Sequence, residues 1–259
     1  MSPSSAPLLR RGPGEVQVGL DADAVVVQGL SPTEIHTLDQ LRERRARPSP
    51  GSRLEGILTG LRERGLVVEP GHRRPGAVVL DGHGAVTRRL IPLLREAHVV
   101  VHHGSGALDD ADRAIRAGTR TVIGTPTLLV VQVTAHALSP LRAWPHTRVP
   151  CLPVIVGHRC VSVGPITGTG GPCLRCLDLT RTDLDPAWPG LLAQLGETAE
   201  PTEESPLTLL AASLTATAVL DHLRGHTWPD RSLEASLAPP SLQQRRWSAH
   251  PRCHRHGGG

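Results

Sequence analysis

Two short cysteine-containing turns, far apart in the sequence, constrain the fold of this chain more than any other feature. Cys173 and Cys176 form a C-x-x-C turn, and Cys253 begins a C-x-x-H turn that ends at His256. Two intervening residues let both side chains of such a turn reach one ion, so the two turns together supply the ligands of a tetrahedral zinc site. A site closed by four protein ligands has no position for water or substrate. We therefore predict a structural zinc that holds the C-terminal tail to the body of the protein.

The identity of the fourth ligand is open, because His254 or His250 can replace His256 in the same role. The other two cysteines, Cys151 and Cys160, stand in apolar sequence that is typical of strands. Free cysteines in such surroundings behave as small core residues, so we expect a structural role for both.

The composition limits the chemistry that the chain can perform. It has 259 residues and a net charge of +4, with no Lys and no Asn. The absence of Lys excludes a Schiff-base lysine and a Walker-type phosphate lysine. The arginines are scattered rather than grouped into a basic stripe, which does not favour a nucleic-acid partner.

No segment of the sequence predicts a membrane span or a signal peptide. The longest apolar stretch, residues 207–223, includes Asp221 and His222 and is shorter than the roughly 20 apolar residues that a span needs. We expect a cytoplasmic protein without membrane contact, whose cysteines are reduced and available to a metal.

Residues 8–70 predict a small winged-helix-like α+β domain. A hairpin comes first, in whose strands apolar and polar residues alternate. A helix that begins with the capping box Ser31-Pro32-Thr33-Glu34 follows, and then a second helix that ends at Gly65. The predicted strands and helices occupy residues 15–20, 24–27, 31 onwards, 53–64 and 66–68.

A domain of this kind binds DNA through a recognition helix, or binds a peptide as an added strand; a purely structural cap is the third interpretation. For a peptide, the second helix and the strand after it would line the groove, and their arginines would favour an acidic partner. The predicted peptide-binding residues are Arg53, Leu54, Ile57, Leu61, Arg64, Leu66, Val67 and Val68.

Residues 76–256 predict a degenerate Rossmann-like domain. A buried strand at residues 77–80 leads into Gly82-x-Gly84 and a helix at residues 85–97, which is the layout of a nucleotide-binding βαβ unit. The third glycine of the fingerprint is replaced by Thr87, and His102 stands where a carboxylate would end the second strand. We therefore interpret Gly82, Gly84 and the later Asp109 as a vestigial nucleotide site.

Three segments carry a family resemblance. Residues 171–179 (GPCLRCLDL), residues 181–188 (RTDLDPAW) and His250-Pro251-x-Cys253 resemble actinobacterial ThiF-family proteins, which are relatives of ubiquitin-activating enzymes. That family includes the leader-peptide-binding partners of azoline-forming cyclodehydratases. The resemblance covers residues 76–256, and the first seventy residues are similar in layout to the peptide-recognition domain of such partners. It implies an α/β fold with a winged-helix-like domain before a ThiF-like Rossmann domain and its structural zinc.

The resemblance also implies a role for the zinc residues and an absence of catalysis. The zinc cysteines of the family map onto Cys173, Cys176 and Cys253, with His256 where a fourth cysteine is common. Active adenylating members hold ATP with a strand-end Asp, an Asn, an Arg and a Lys. This chain has His102 at the Asp position and neither Asn nor Lys, so its resemblance implies a catalytically silent member that does not bind ATP.

The function implied is that of a leader-peptide-binding partner in the modification of ribosomally synthesised peptides. Such a protein would be a homodimer that delivers a precursor peptide to an ATP-dependent cyclodehydratase. Two other functions remain open: a ThiF-type adenylyltransferase that uses Gly82, Gly84 and Asp109 or Asp110, and a winged-helix DNA-binding regulator, whose affinity would fall steeply with salt.

Overall fold

The computed structural model describes residues 6–42, 48–67, 76–118, 121–122, 125–135, 149–195 and 200–254. The chain divides into two compact units, residues 1–72 and 73–259. Two residues with a predicted role, Val68 and His256, lie outside the described residues.

The first unit combines a three-stranded antiparallel sheet with two helices. Its elements are β1 (Leu8–Gly12), β2 (Glu15–Val18), β3 (Val25–Val27), α1 (Pro32–Arg42) and α2 (Arg53–Glu63). The strand order is β1-β2-β3. The predicted hairpin is present as β2 and β3, with Val16 opposite Val27. The sequence did not predict β1, whose side chains are mostly exposed and include Arg10 and Arg11, so it lacks the apolar alternation that marks a half-buried strand.

Local hydrogen bonds fix the ends of both helices. The side chain of Glu34 accepts hydrogen bonds from the backbone N–H and the hydroxyl of Ser31, at 2.8 and 2.9 Å, as the capping box predicts. Gly65 follows α2 with a φ of 72°, which a glycine adopts without strain.

The strand predicted at residues 66–68 is wrong for Leu66 and Val67, which form a bend. The N–H of Leu66 donates to the carbonyl of Leu61 at 2.9 Å and thus closes the end of α2, so it is not available to a strand ladder. The core of this unit packs one face of the sheet against one side of each helix and contains Val16, Val18, Leu30, Leu38, Leu54, Leu58 and Leu61.

The second unit is built on a larger mixed sheet. Its elements are β4 (Ala77–Asp81), α3 (Ala85–Glu96), β5 (Val100–His103), α4 (Ser105–Arg116), β6 (Thr121–Val122), β7 (Thr125–Ala135), β8 (Cys151–Val156), β9 (Cys160–Val163), α5 (Leu174–Leu184), α6 (Trp188–Leu195), α7 (Pro206–Leu223), β10 (Arg231–Leu237) and β11 (Pro240–Arg246).

Within this sheet the strands run in the order β11-β10-β9-β8-β7-β4-β5, and β6 pairs with β7. The pairs β5–β4, β4–β7 and β7–β8 are parallel, whereas β8–β9, β9–β10 and β10–β11 are antiparallel. The chain leaves β4 for β5 on one side and returns to β7 on the other, so the strand order reverses between β4 and β7. In open α/β sheets this reversal creates the crevice in which ligands bind.

The helices α3 and α7 cover one face of the sheet. Their apolar side chains, among them Leu90, Leu94, Ala211 and Val219, pack with β4, β7 and β8 in the main core. By length and composition α7 is apolar enough to cross a membrane, but half of that stretch is buried inside the protein. We conclude that α7 is the central helix of this core.

The other face of the sheet carries α4, which the sequence did not predict. Leu108 and Ala111 of α4 pack against Val79 and Val130. The helix begins at Ser105-Gly106 after Gly104, and these turn-forming residues concealed its start.

Candidate functional site

The two cysteine turns meet, as their spacing predicts. The sulfur atom of Cys173 lies 3.8 Å from that of Cys176 and 3.6 Å from that of Cys253, and the three sulfur atoms are all within 4.8 Å of one another. Four sulfur atoms placed tetrahedrally at 2.3 Å from one zinc ion would be separated by about 3.8 Å. The spacing of this group, hereafter the cysteine cluster, therefore fits the edges of a zinc-centred tetrahedron.

Two elements of the fold bring the cysteine cluster together. Cys173 is the N-cap of α5, and the N–H of Cys176 donates to its carbonyl at 2.8 Å, so both thiols lie at the first turn of the helix. Cys253 arrives from the other side, after β11, in a turn in which its N–H donates to the carbonyl of His250 at 2.9 Å. Trp247 covers the cluster, packed with Cys176 and Cys253 in a small separate core.

His250 supports the cysteine cluster without being one of its ligands. Its Nε2 atom lies 2.7 Å from the carboxylate of Asp183, and its Nδ1 atom accepts a hydrogen bond from the N–H of Arg252 at 3.1 Å. Its backbone N–H donates to the sulfur of Cys176 at 3.3 Å. Because both ring nitrogens have other partners, His250 orients the second turn and leaves the fourth metal position to another residue.

The two other candidates for the fourth ligand are His254 and His256. Among the described residues, the cluster of ligand atoms contains no histidine, and His254 is exposed just beyond Cys253. His256 lies outside the described residues, so its role stays a prediction.

Burial favours the protonated form of the Cys176 thiol. Burial raises the pKa of Cys176 to about 11, although hydrogen bonds from the N–H groups of His250 and Cys173 lower it in part. A metal ion has to displace the thiol proton, because the thiolate is the ligand. Such a site favours a borderline or soft cation that binds thiolate strongly, as zinc does.

The remaining two cysteines lie apart from the cluster. Cys151 is buried in the sheet, and its burial, together with the charge of Asp81, raises its pKa to about 12, which is consistent with a core thiol. Cys160 is exposed at the start of β9, so it lies on a strand as its sequence indicates but is not a core residue.

A second group of residues surrounds the glycine turn after β4. Thr87, in the first turn of α3, donates its backbone N–H and its hydroxyl to the two carboxylate oxygens of Glu200, at 2.7 and 2.6 Å. Glu200 is 7% exposed and lies against Gly82 and Gly84. Glu200 belongs to the loop before α7, yet its carboxylate is buried, which the sequence did not predict. The one available signal was Thr87 at the position of the third glycine.

The other residues assigned to a vestigial nucleotide site occupy different elements. Asp109 is exposed on α4. His102 is on β5, where it pairs with Val79 of β4.

The predicted peptide groove is only partly accessible. Leu54 and Leu61 are each 4% exposed and belong to the core, so they hold α2 in place and do not face a groove. The side chain of Arg53 is exposed and donates to the carbonyl oxygens of Gly29 and Gln28, just after β3, at 2.7 and 2.9 Å.

The accessible side of α2 is a narrow stripe. Five exposed or half-buried residues follow one another along it at helical spacing. They are Arg53, Gly56, Ile57, Gly60 and Arg64. A Cβ atom added at Gly56 or Gly60 would meet nothing within 4 Å. This stripe, hereafter the glycine stripe of α2, therefore lets another chain approach the helix backbone closely.

Comparison with solved structures identifies proteins of the same fold. The chain matches "Heterocyclase in complex with substrate and Cofactor" with a TM-score of 0.61 and 16% identity, over 96% of this chain and 38% of that chain. It matches E. coli MccB with ATP at a TM-score of 0.52 and 11% identity, over 96% of this chain and 97% of the other. A complex of E. coli MccB with MccA-N7isoASN matches at 0.54 and 12%, over 98% of both chains.

No family model and no curated protein matches the sequence. The chain spans 38% of the length of the heterocyclase chain that it resembles. At identities of 11–16% these likenesses concern the fold. They support the Rossmann-like α/β fold that the sequence predicts.

Proposed function

We propose that this chain is a non-catalytic peptide-binding partner in the modification of ribosomally synthesised peptides. Its first unit would bind the leader segment of a precursor peptide, and its second unit would dock a cyclodehydratase, form a homodimer, or both. The fold shared with a heterocyclase and with MccB supports this class of function. The chain lacks the Lys and Asn that the adenylation chemistry of the ThiF family requires, which argues against an adenylyltransferase.

The observation that carries the proposal is the surface around β3 and α2. Within the described residues β3 is an edge of its sheet, paired with β2 alone, and Val26 at its centre is 37% exposed. An extended peptide can add to such an edge through backbone hydrogen bonds and place alternate side chains on the neighbouring helix. At Gly56 and Gly60 of the glycine stripe, the backbone of that helix is open to a close approach.

The charge of this surface indicates the chemistry of the peptide. Arg53 and Arg64 are exposed at the two ends of α2, and Ile57 lies between them. A leader segment with acidic residues around a central apolar one would complement this pattern. The arginines do not form the longer basic stripe that would favour DNA.

Synthetic leader peptides with acidic residues around a central apolar one supply the test. We expect one of them to bind the purified chain, measured by calorimetry, and to protect the backbone amides of β3 from hydrogen exchange. Gly60→Gln fills the glycine stripe and should weaken binding about tenfold or more. The helix itself should not lose stability, because Gln has a higher helix propensity than Gly.

Thr59→Gln is the matched control, since Thr59 is the adjacent residue of α2 and faces solvent, and it should leave the affinity unchanged. Equal affinity of Gly60→Gln and the unaltered chain would place the peptide elsewhere. The absence of binding by any such peptide would contradict the proposed function.

A further inference from the structure

Glu200 is the most completely enclosed carboxylate among the described residues, and both of its oxygens are used. Its carboxylate accepts two hydrogen bonds from Thr87, one from the backbone N–H and one from the hydroxyl. Thr87 belongs to the first turn of α3, a helix of 12 residues. An anion is stabilised at this end of a helix by the unpaired N–H groups and by the helix dipole.

The position of this carboxylate is where a Rossmann domain holds a phosphate. The glycine turn follows β4, and Val133 of β7 stands beside it, at the reversal of strand order that forms the binding crevice. In nucleotide-binding domains the glycines of this turn allow the pyrophosphate to approach the backbone at the helix N-terminus.

Here the same glycines make room for Glu200. A Cβ atom at Gly82 would lie 2.5 Å from a carboxylate oxygen of Glu200, and one at Gly84 would lie 2.7 Å from its Cγ atom. The space that glycine leaves open is thus already filled by a side chain of the same protein. A phosphate group and this carboxylate cannot occupy it together.

The residues after Glu200 fasten it to α3. The N–H of Ala85 donates to the carbonyl of Pro201 at 2.8 Å, and Arg88 donates to the carbonyl of Thr202 at 2.6 Å. Arg89 forms an ion pair with Glu204. Four residues of the 200–204 segment (200, 201, 202 and 204) are therefore attached to residues 85–89 in the first turns of α3, which fixes the position of Glu200.

We propose that Glu200 is a built-in anion that occupies the phosphate position of this Rossmann turn and keeps nucleotide phosphates out of it. The turn has become a binding site for an internal carboxylate, and Thr87, in place of the third glycine, supplies both hydrogen bonds. The proposal concerns the second unit and is independent of whether the first unit binds a peptide.

Calorimetric titration with inorganic phosphate and with ATP·Mg tests the proposal on the full chain. The unaltered protein should bind neither at about 1 mM. Glu200→Ala empties the position while leaving the Thr87 donors in place, so this variant should gain affinity for both ligands by roughly tenfold or more. Glu203→Ala removes a nearby exposed carboxylate and should behave as the unaltered chain does.

Glu200→Gln distinguishes the effect of the volume of the side chain from the effect of its charge. It retains the volume and removes the negative charge, so it should still exclude both ligands. Binding of phosphate or ATP by the unaltered chain with a Kd below about 1 mM would overturn the proposal. A folded Glu200→Ala variant without any gain in affinity would overturn it too.

Hydrogen exchange of the unaltered chain decides the matter if Glu200→Ala does not fold. The backbone amide of Thr87 should be protected in the absence of any ligand, because Glu200 already accepts from it. An amide of Thr87 that exchanges as fast as an exposed amide would contradict the proposal.

Discussion

Each sulfur atom of the cysteine cluster reaches its position by a different route. Cys173 caps α5, Cys176 follows one turn later and receives the N–H of His250, and Cys253 belongs to the tail. A metal ion bound to all three sulfur atoms would therefore link the tail to α5. A structural zinc ion at these three sulfur atoms, with His256 as the fourth ligand, stays a prediction.

Cys173→Ser should abolish this link. We expect the unaltered chain to retain about one zinc ion per molecule and the variant to retain little. The free energy of unfolding should fall by about 4 kcal/mol where free zinc exceeds the Kd a thousandfold. Metal analysis and thermal unfolding with and without a chelator measure both effects. Cys160→Ser, which changes an exposed cysteine outside the cluster, is the control; equal zinc content in both variants would contradict the assignment.

Glu34 predicts a pH dependence of the first unit. The hydrogen bonds from the backbone and the hydroxyl of Ser31 lower the pKa of Glu34 below the usual value of a glutamate. A carboxylate whose pKa is lower in the folded state contributes stability above its unfolded pKa, and that contribution is lost as pH falls through the folded pKa.

The difference in unfolding free energy between the unaltered chain and Glu34→Gln should therefore be largest above about pH 5 and shrink towards pH 3. Denaturant unfolding at a series of pH values measures it. A difference that stays constant over this range would show that the charge of Glu34 contributes nothing to the cap.

At the scale of elements, α7 depends on its first turn. The side chain of Ser205 accepts from the N–H of Thr208 at 3.2 Å, and the hydroxyl of Thr208 accepts from the N–H of Ser205 at 2.8 Å. Ser205→Ala should lower the free energy of unfolding by about 1 kcal/mol, as measured by denaturant titration. Ser213→Ala, on the exposed side of the same helix, should change it much less; an equal effect of both variants would argue against the cap.

The elements that the sequence predicted correctly are those with local signals. The capping box at Ser31, the glycine stop at Gly65 and the apolar run of β4 each depend on residues within a few positions. The cysteine cluster was predictable across the chain because metal ligands have a recognisable spacing. The contact of Glu200 with Thr87 had no such pattern, since it joins residues 113 apart and depends on how α3 and α7 pack.

At the scale of the whole molecule, each unit has its own core. The core of the first unit contains residues of 1–72 alone. We therefore expect residues 1–72, produced by themselves, to fold with α1 and α2 intact and to unfold cooperatively, as measured by circular dichroism. Leu58→Ala should abolish this folding, because the loss of about 2–5 kcal/mol exceeds what a domain of this size can spare. A fragment without helical signal would contradict the expectation.

The distance along the chain between Cys173 and Cys253 has a mechanical consequence. They are 80 residues apart, so a metal ion that joins them closes a ring containing α5, α6, α7 and the β10–β11 hairpin. Tension applied at the tail then passes through the metal directly to Cys173. The residues inside the ring, which would span roughly 270 Å if extended, bear none of it. An unfoldase that pulls on the C-terminus would have to break the metal–sulfur bonds before it reached Glu200 or α7.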